Sequence, residues 1–154
     1  MGWSDGAKTA LLMAIKYQSR VEKMIIWGGN AYSLPVEKKV LNACRNVKKM
    51  WNEVSRAGYE KVYGDELQSL WDKHVDHYVK NLDDICKDQV KYIKCPTFIM
   101  HGDRDLLPLE HPFFLANNIP DARLHRFKDF GHNLHIENAS KFNQMAEDFL
   151  LEHE

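Results

Sequence analysis

The chain has 154 residues, the length of one domain, and its 21 Lys and Arg against 22 Asp and Glu leave a formal net charge of −1. A hydrophobic share of 44% with 28% charged residues excludes a disordered, collagenous or membrane-spanning composition. The balanced charge also removes the electrostatic case for nucleic acid or an anionic membrane, so a small-molecule ligand is expected. A monomer is the expected state.

The first predicted element is a helix over Ala7 to Tyr17, with Ala10, Leu11, Ala14 and Ile15 at helical spacing. A short buried strand follows over Val21 to Gly28, ended by Gly28-Gly29. From about Pro35 to Lys94 the period changes. Val36, Val40, Leu41, Cys44, Val47, Trp51 and Val54 form one apolar stripe, and Leu67, Leu70, Trp71, Val75, Tyr78, Val79 and Leu82 another. Two or three amphipathic helices are expected there, broken at Gly58 and Gly64. After Cys95-Pro96 come a strand over Thr97 to Met100 ending at Gly102, a helix from Leu109 to Asn118, and a strand from Ala122 to Phe127. A closing helix from Ala139 carries Phe142, Met145, Ala146, Phe149 and Leu150 on one face. Strands alternating with helices define an α/β class with a parallel sheet covered on both faces.

Cys44, Cys86 and Cys95 are odd in number and widely spaced, with no C-x-x-C pair, and read as free thiols in a reducing, intracellular compartment. The longest apolar runs, Ala10 to Ile15 and Met24 to Trp27, fall far short of the roughly 20 residues a membrane-spanning helix needs. No targeting segment is read in the chain.

Gly2-Trp3-Ser4-Asp5-Gly6 matches G-x-S-x-G, the tight strand-to-helix turn that exposes a nucleophilic serine. The pentapeptide alone leaves two roles open for Ser4, nucleophile or N-cap of the first helix. A serine nucleophile needs a base, and the base needs a group that fixes its tautomer. Both occur downstream: Asp105 follows the strand that ends in His101-Gly102, and His132 lies in Phe130-Gly131-His132-Asn133 after the last strand. The chain order Ser4, Asp105, His132 is that of α/β-hydrolases and differs from chymotrypsin-like and subtilisin-like orders. Asp103 and His135 compete for the acid and base roles. Asp103 fits a turn residue, and His135, beside Leu134 and Ile136, fits a packed, hydrogen-bonded histidine. His74 and His77 lie one helical turn apart without an evident third ligand, so no metal and no cofactor are expected. The clusters Glu37-Lys38-Lys39 and Lys48-Lys49 read as solvated helix faces.

These segments together resemble the biphenyl hydrolase-like proteins, the valacyclovir hydrolase group of α/β-hydrolase-fold serine hydrolases. The resemblance spans essentially the whole chain: the Gly-Trp-Ser-Asp-Gly elbow, Ile26-Trp27-Gly28 with Asn30-Ala31-Tyr32, His101-Gly102 with Asp105, Gly131-His132-Asn133-Leu134-His135, and Phe142-Asn143 with Ala146-Glu147-Asp148-Phe149-Leu150. It implies Ser4 as nucleophile, His132 as base and then acid, Asp105 as its orienting carboxylate, and Asp5 as the carboxylate that meets the ammonium of an α-amino-acid ester. The backbone N–H of Asp5 is the expected oxyanion donor. Residues 1–154 would form one α/β-hydrolase domain, N-terminally incomplete, with 35–94 as a helical lid insertion, and the compartment would be mitochondrion or cytoplasm. Beginning at the elbow, the chain is expected to show three strands, with the strand of Val21 to Gly28 at an exposed sheet edge. The alternatives are a carbon–carbon bond hydrolase of the same fold and a non-catalytic binding module.

Overall fold

A computed structural model describes residues 1–81 and 84–152. The chain divides into two compact units, one formed by Met1–Ala31 with Ile85–Glu154 and the other by Tyr32–Asp84.

The first unit opens with a two-residue strand β1 (Gly2–Trp3), followed by helix α1 (Asp5–Lys16) and strand β2 (Met24–Trp27). The second unit contributes α2 (Pro35–Ala43), the single turn α3 (Val47–Met50), α4 (Glu53–Tyr63) and α5 (Leu67–Asn81). Back in the first unit a 3₁₀ segment (Lys87–Tyr92) leads to β3 (Thr97–Gly102), α6 (Glu110–Asn118), β4 (Ala122–Phe127), the short α7 (Leu134–Glu137) and α8 (Ala139–Leu151).

All the pairings are parallel, in the order β1-β2-β3-β4. This corrects the expectation of three strands. Gly2 and Trp3, read only as part of the elbow, pair with Ile26 and Trp27. The first two residues of β2, Met24 and Ile25, lie outside that pairing, so β1 covers only half of the strand.

Side chains alternate across a strand, and β2 and β3 are buried along their whole lengths, as strands covered on both faces must be. On one face Ile25, Trp27, Phe98, Met100 and Phe127 pack with Leu134 and with Phe142, Ala146 and Phe149 of α8. Each fully buried phenylalanine there is worth roughly 1.5–3 kcal/mol of transfer free energy. Successive strands move one way across the sheet, so right-handed crossovers put α1 and α6 together on the opposite face. Their buried Ala7, Leu11 and Ala14, and Leu115, supply the apolar side chains of that layer. The closing helix differs from the sequence reading at one place, since Leu150 is exposed rather than on the buried face.

In the second unit Val47, Leu67 and Val75 are buried, whereas Val36, Val40, Val54 and Leu70 of the predicted stripes are exposed. Leu82, the last residue of the second stripe, lies outside the described residues. Gly64, at φ +53, separates α4 from α5, but α4 runs through Gly58 unbroken. One glycine inside a helix costs only about 1 kcal/mol, too little to break it. Glu37, read as solvated, is buried and accepts the N–H of Leu34, closing the first turn of α2. Residues 85–94, expected within the helical insert, pack in the sheet-bearing unit because Cys86, Val90 and Ile93 are buried there. Among the described residues no helix is long and apolar enough to cross a membrane.

Candidate active site

The site lies within the sheet-bearing unit, at the carboxyl ends of β1 and β3 and on the loop after β4. The chain leaves β1 and enters α1 within one residue, and Ser4 absorbs the reversal with φ 54 and ψ −115. A non-glycine residue at positive φ carries a strain of about 1–3 kcal/mol, maintained only where surrounding structure over-determines it. Here the Ser4 N–H donates to Trp27 O at 3.0 Å, while Ser4 O accepts the Ala7 N–H at 3.0 Å. The two motif glycines are not equivalent. A Cβ on Gly2 would stand 2.2 Å from Gly6 O, whereas one on Gly6 would meet nothing within 4 Å.

Ser4 occupies the N-cap position of α1, yet its side chain makes no capping hydrogen bond. Its Oγ lies 3.0 Å from His132 Nε2 instead, so the hydroxyl is committed to the imidazole. His132 Nδ1 is 2.9 Å from Asp105 Oδ1 and 3.1 Å from Oδ2. A carboxylate can only accept at that position, which assigns the proton to Nδ1 and leaves Nε2 to accept the Ser4 O–H. Asp105 is almost fully buried and also accepts the Leu107 N–H at 2.8 Å. Its own N–H is fixed by Gly102 O at 2.9 Å, so the sharp turn after β3 sets the carboxylate's direction.

The competing residues separate cleanly. Asp103 binds Arg126 Nε at 2.9 Å, on the neighbouring strand and away from His132. His135 accepts the Trp27 indole N–H through Nδ1 at 3.1 Å, and burial together with the nearby His132 pushes its pKa down, consistent with a neutral packed ring. His74 sits between Trp71 and Tyr78, with ring centroids at 5.1 and 4.7 Å. Asp5, the first residue of α1, has a half-exposed side chain that binds Lys8 Nζ at 3.0 Å. Its backbone N–H belongs to the first helical turn, whose donors have no partner inside the helix.

Three contributors were not legible as such. Gly28 has φ +55, and a Cβ there would lie 2.7 Å from His132 Cε1 and 2.8 Å from Nδ1. Gly28-Gly29 marked only a strand end in the sequence. Trp3 donates its indole N–H to His132 O at 2.9 Å, and Glu137 accepts the Gly131 N–H at 2.8 Å. His101 is buried behind Asp105, its Nδ1 3.9 Å from Oδ2, too far for a hydrogen bond. Burial pushes the His101 pKa down, opposed by the Asp105 carboxylate.

The fold is that of the α/β hydrolases. The structure superimposes on a meta-cleavage product hydrolase, CumD from Pseudomonas fluorescens IP01, with TM-score 0.72 and 22% identity, covering 97% of this chain and 62% of that one. An α/β hydrolase from a deep-sea metagenome, MGS-M2, gives TM-score 0.72 at 21% identity over 99% of this chain and 64% of that chain. In sequence the chain is 40% identical to the serine hydrolase BPHL of Mus musculus and of Homo sapiens, over 97% of its own length and 53% of theirs. It is thus similar to these serine hydrolases over nearly its whole length, and spans about half the length of these curated relatives. A 2-hydroxymuconate semialdehyde hydrolase of Pseudomonas putida is 25% identical over 99% of this chain and 62% of that protein. No protein-family model matches the chain.

Proposed function

We propose that this chain carries the catalytic triad of a serine hydrolase for small carboxylic esters, with a preference for α-amino-acid esters. The observation that supports it most is the continuous hydrogen-bonded line from Ser4 Oγ through the His132 ring to Asp105, at 3.0 and 2.9 Å, on a serine held at positive φ.

In this reading Ser4 Oγ attacks the ester carbonyl carbon as His132 Nε2 takes its proton. Negative charge develops on the carbonyl oxygen and is met by the Asp5 N–H at the start of α1. The ester C–O bond then breaks, the alcohol leaves with the proton from Nε2, and an acyl-Ser4 ester remains. Water, deprotonated by Nε2, attacks that ester and returns the proton to Ser4 as the acid departs. Asp105 keeps the ring in the Nδ1–H tautomer throughout and stabilises the imidazolium.

Asp5 supports the amino-acid part of the reading, because its carboxylate follows the nucleophile directly and already accepts one ammonium, that of Lys8. An arriving α-ammonium would exchange for or share that bond. With Asp5 57% exposed, the gain stays within the range of a surface ion pair, about 0.2–1 kcal/mol or up to roughly fivefold in KM. The test is fluorophosphonate labelling with the adduct located by mass spectrometry, followed by ester kinetics. Modification at Ser4 that vanishes in Ser4→Ala is expected, and turnover undiminished in that variant rejects the mechanism. Asp5→Ala is expected to lose more on an amino-acid ester than on a neutral ester of the same alcohol. Equal losses reject the ammonium role.

The relative named as a 2-hydroxymuconate semialdehyde hydrolase favours a second reading, carbon–carbon bond hydrolysis with the same three residues. Turnover of 2-hydroxymuconate semialdehyde in preference to esters would select it.

A further inference from the structure

We propose that Glu137 is a positioning residue that, with the Trp3 indole, holds the backbone of His132 in register with Ser4. The inference rests on the reading of His132 as the base. Glu137 Oε2 accepts the Gly131 N–H at 2.8 Å and Oε1 accepts the Asn133 N–H at 3.2 Å, so one carboxylate bridges the amides on either side of His132. From the other side Trp3 Nε1 donates to His132 O at 2.9 Å. That oxygen and the Asn133 N–H belong to the same peptide group, which is thereby held at both ends and cannot rotate without breaking a bond. Trp3 immediately precedes Ser4, so the tether ties the position of the imidazole to the nucleophile's own neighbour.

Burial does not explain Glu137, which is exposed on the short α7. Its backbone is fixed instead by the Glu137 N–H, which donates to Asn133 O at 2.9 Å, and this anchors the carboxylate that reaches back over the loop. A displacement of the ring by about 1 Å is enough to cost on the order of 10²-fold in rate, and two amide bonds together with one indole bond oppose that displacement.

The imidazole Nδ1 proton shared with Asp105 reports ring placement whether or not substrate turns over. Its solvent exchange, followed by proton NMR on the full chain, is expected to be at least tenfold faster in Glu137→Ala and in Trp3→Phe. Glu137→Gln, whose amide oxygen still accepts one N–H, should stay within threefold of the parent. In ester kinetics Glu137→Ala is expected to lower kcat ten- to hundredfold with KM changed less than twofold. A folded Glu137→Ala with parental exchange and kcat overturns the proposal. If that variant does not fold, Glu137→Asp decides, since it keeps the charge but is one methylene too short to span both amides, and parental exchange in it likewise overturns the proposal. Ester turnover undiminished in Ser4→Ala is a different result, and it removes the serine mechanism rather than the clamp.

Discussion

Gly28→Ala places one methyl group where the structure has room for none. The added Cβ would stand 2.7 Å from His132 Cε1, 2.8 Å from Nδ1 and 3.4 Å from Asp105 Oδ2. Carbon atoms in contact settle at about 3.5–4.0 Å, so the ring must retreat by roughly 1 Å. Nδ1 is bound to Asp105 at 2.9 Å and Nε2 to Ser4 at 3.0 Å, and a retreat of that size breaks the alignment of both. The expected loss in kcat is on the order of 10²-fold. The φ of +55 adds a backbone cost of about 1–2 kcal/mol to folding. Gly64→Ala supplies the control, since Gly64 has φ +53 but a Cβ there meets nothing within 4 Å. It should pay the backbone cost alone, lowering Tm by about 2–8 °C with kcat unchanged. Both variants are assayed with a neutral chromogenic ester and by thermal denaturation. Parental kcat in Gly28→Ala, or an equal kcat loss in Gly64→Ala, would refute the steric argument.

The two motif glycines should behave as unequally as their surroundings. Gly2→Ala forces its Cβ against backbone and is expected to lower Tm and fluorophosphonate labelling together, while Gly6→Ala should leave both near parental. Asp105→Asn is expected to lower kcat about 10⁴-fold through the wrong histidine tautomer. Asp103→Asn breaks only a partly exposed pair with Arg126, and should change kcat less than twofold and stability by less than about 1 kcal/mol. His101, His125 and His135 are all held below the ordinary histidine pKa, chiefly by burial. The unfolded chain therefore binds more protons as pH falls below about 6.5, and stability contributed by these neutral rings is lost in that range. Tm should drop between pH 7 and 5, and drop less steeply in His101→Gln. A Tm that stays flat over this interval contradicts the assignment.

Fold and site were legible in the sequence to different depths. Period and turn chemistry placed β2, β3, β4 and most helices within a few residues, because β2 and the first part of β3 are largely apolar runs ending at or near glycine. β1 escaped notice because two residues carry no period. The exposed valines of the second unit escaped because spacing shows that a stripe shares a helix face, not that the face is covered. Ser4, Asp105 and His132 stood out because each sits in a short motif whose order is itself informative, and the structure places His132 within hydrogen-bonding distance of both Ser4 and Asp105. Gly28, Trp3 and Glu137 were not, since their contributions are a missing Cβ, an indole N–H and a carboxylate aimed at backbone. None of these leaves a residue-type signature without coordinates.

Ala31 O accepts both the Ile85 N–H at 3.0 Å and the Cys86 N–H at 2.9 Å, so the 53 residues Tyr32–Asp84 leave and rejoin the sheet-bearing unit at a single carbonyl. To that unit they amount to a loop whose ends are already closed, and loop length enters the closure entropy only logarithmically. Shortening the excursion to a tight turn, or exchanging it for one of another size, would change that entropy by only about 2 kcal/mol. Loop closure therefore sets little limit on how long or short the segment between residues 31 and 85 can be.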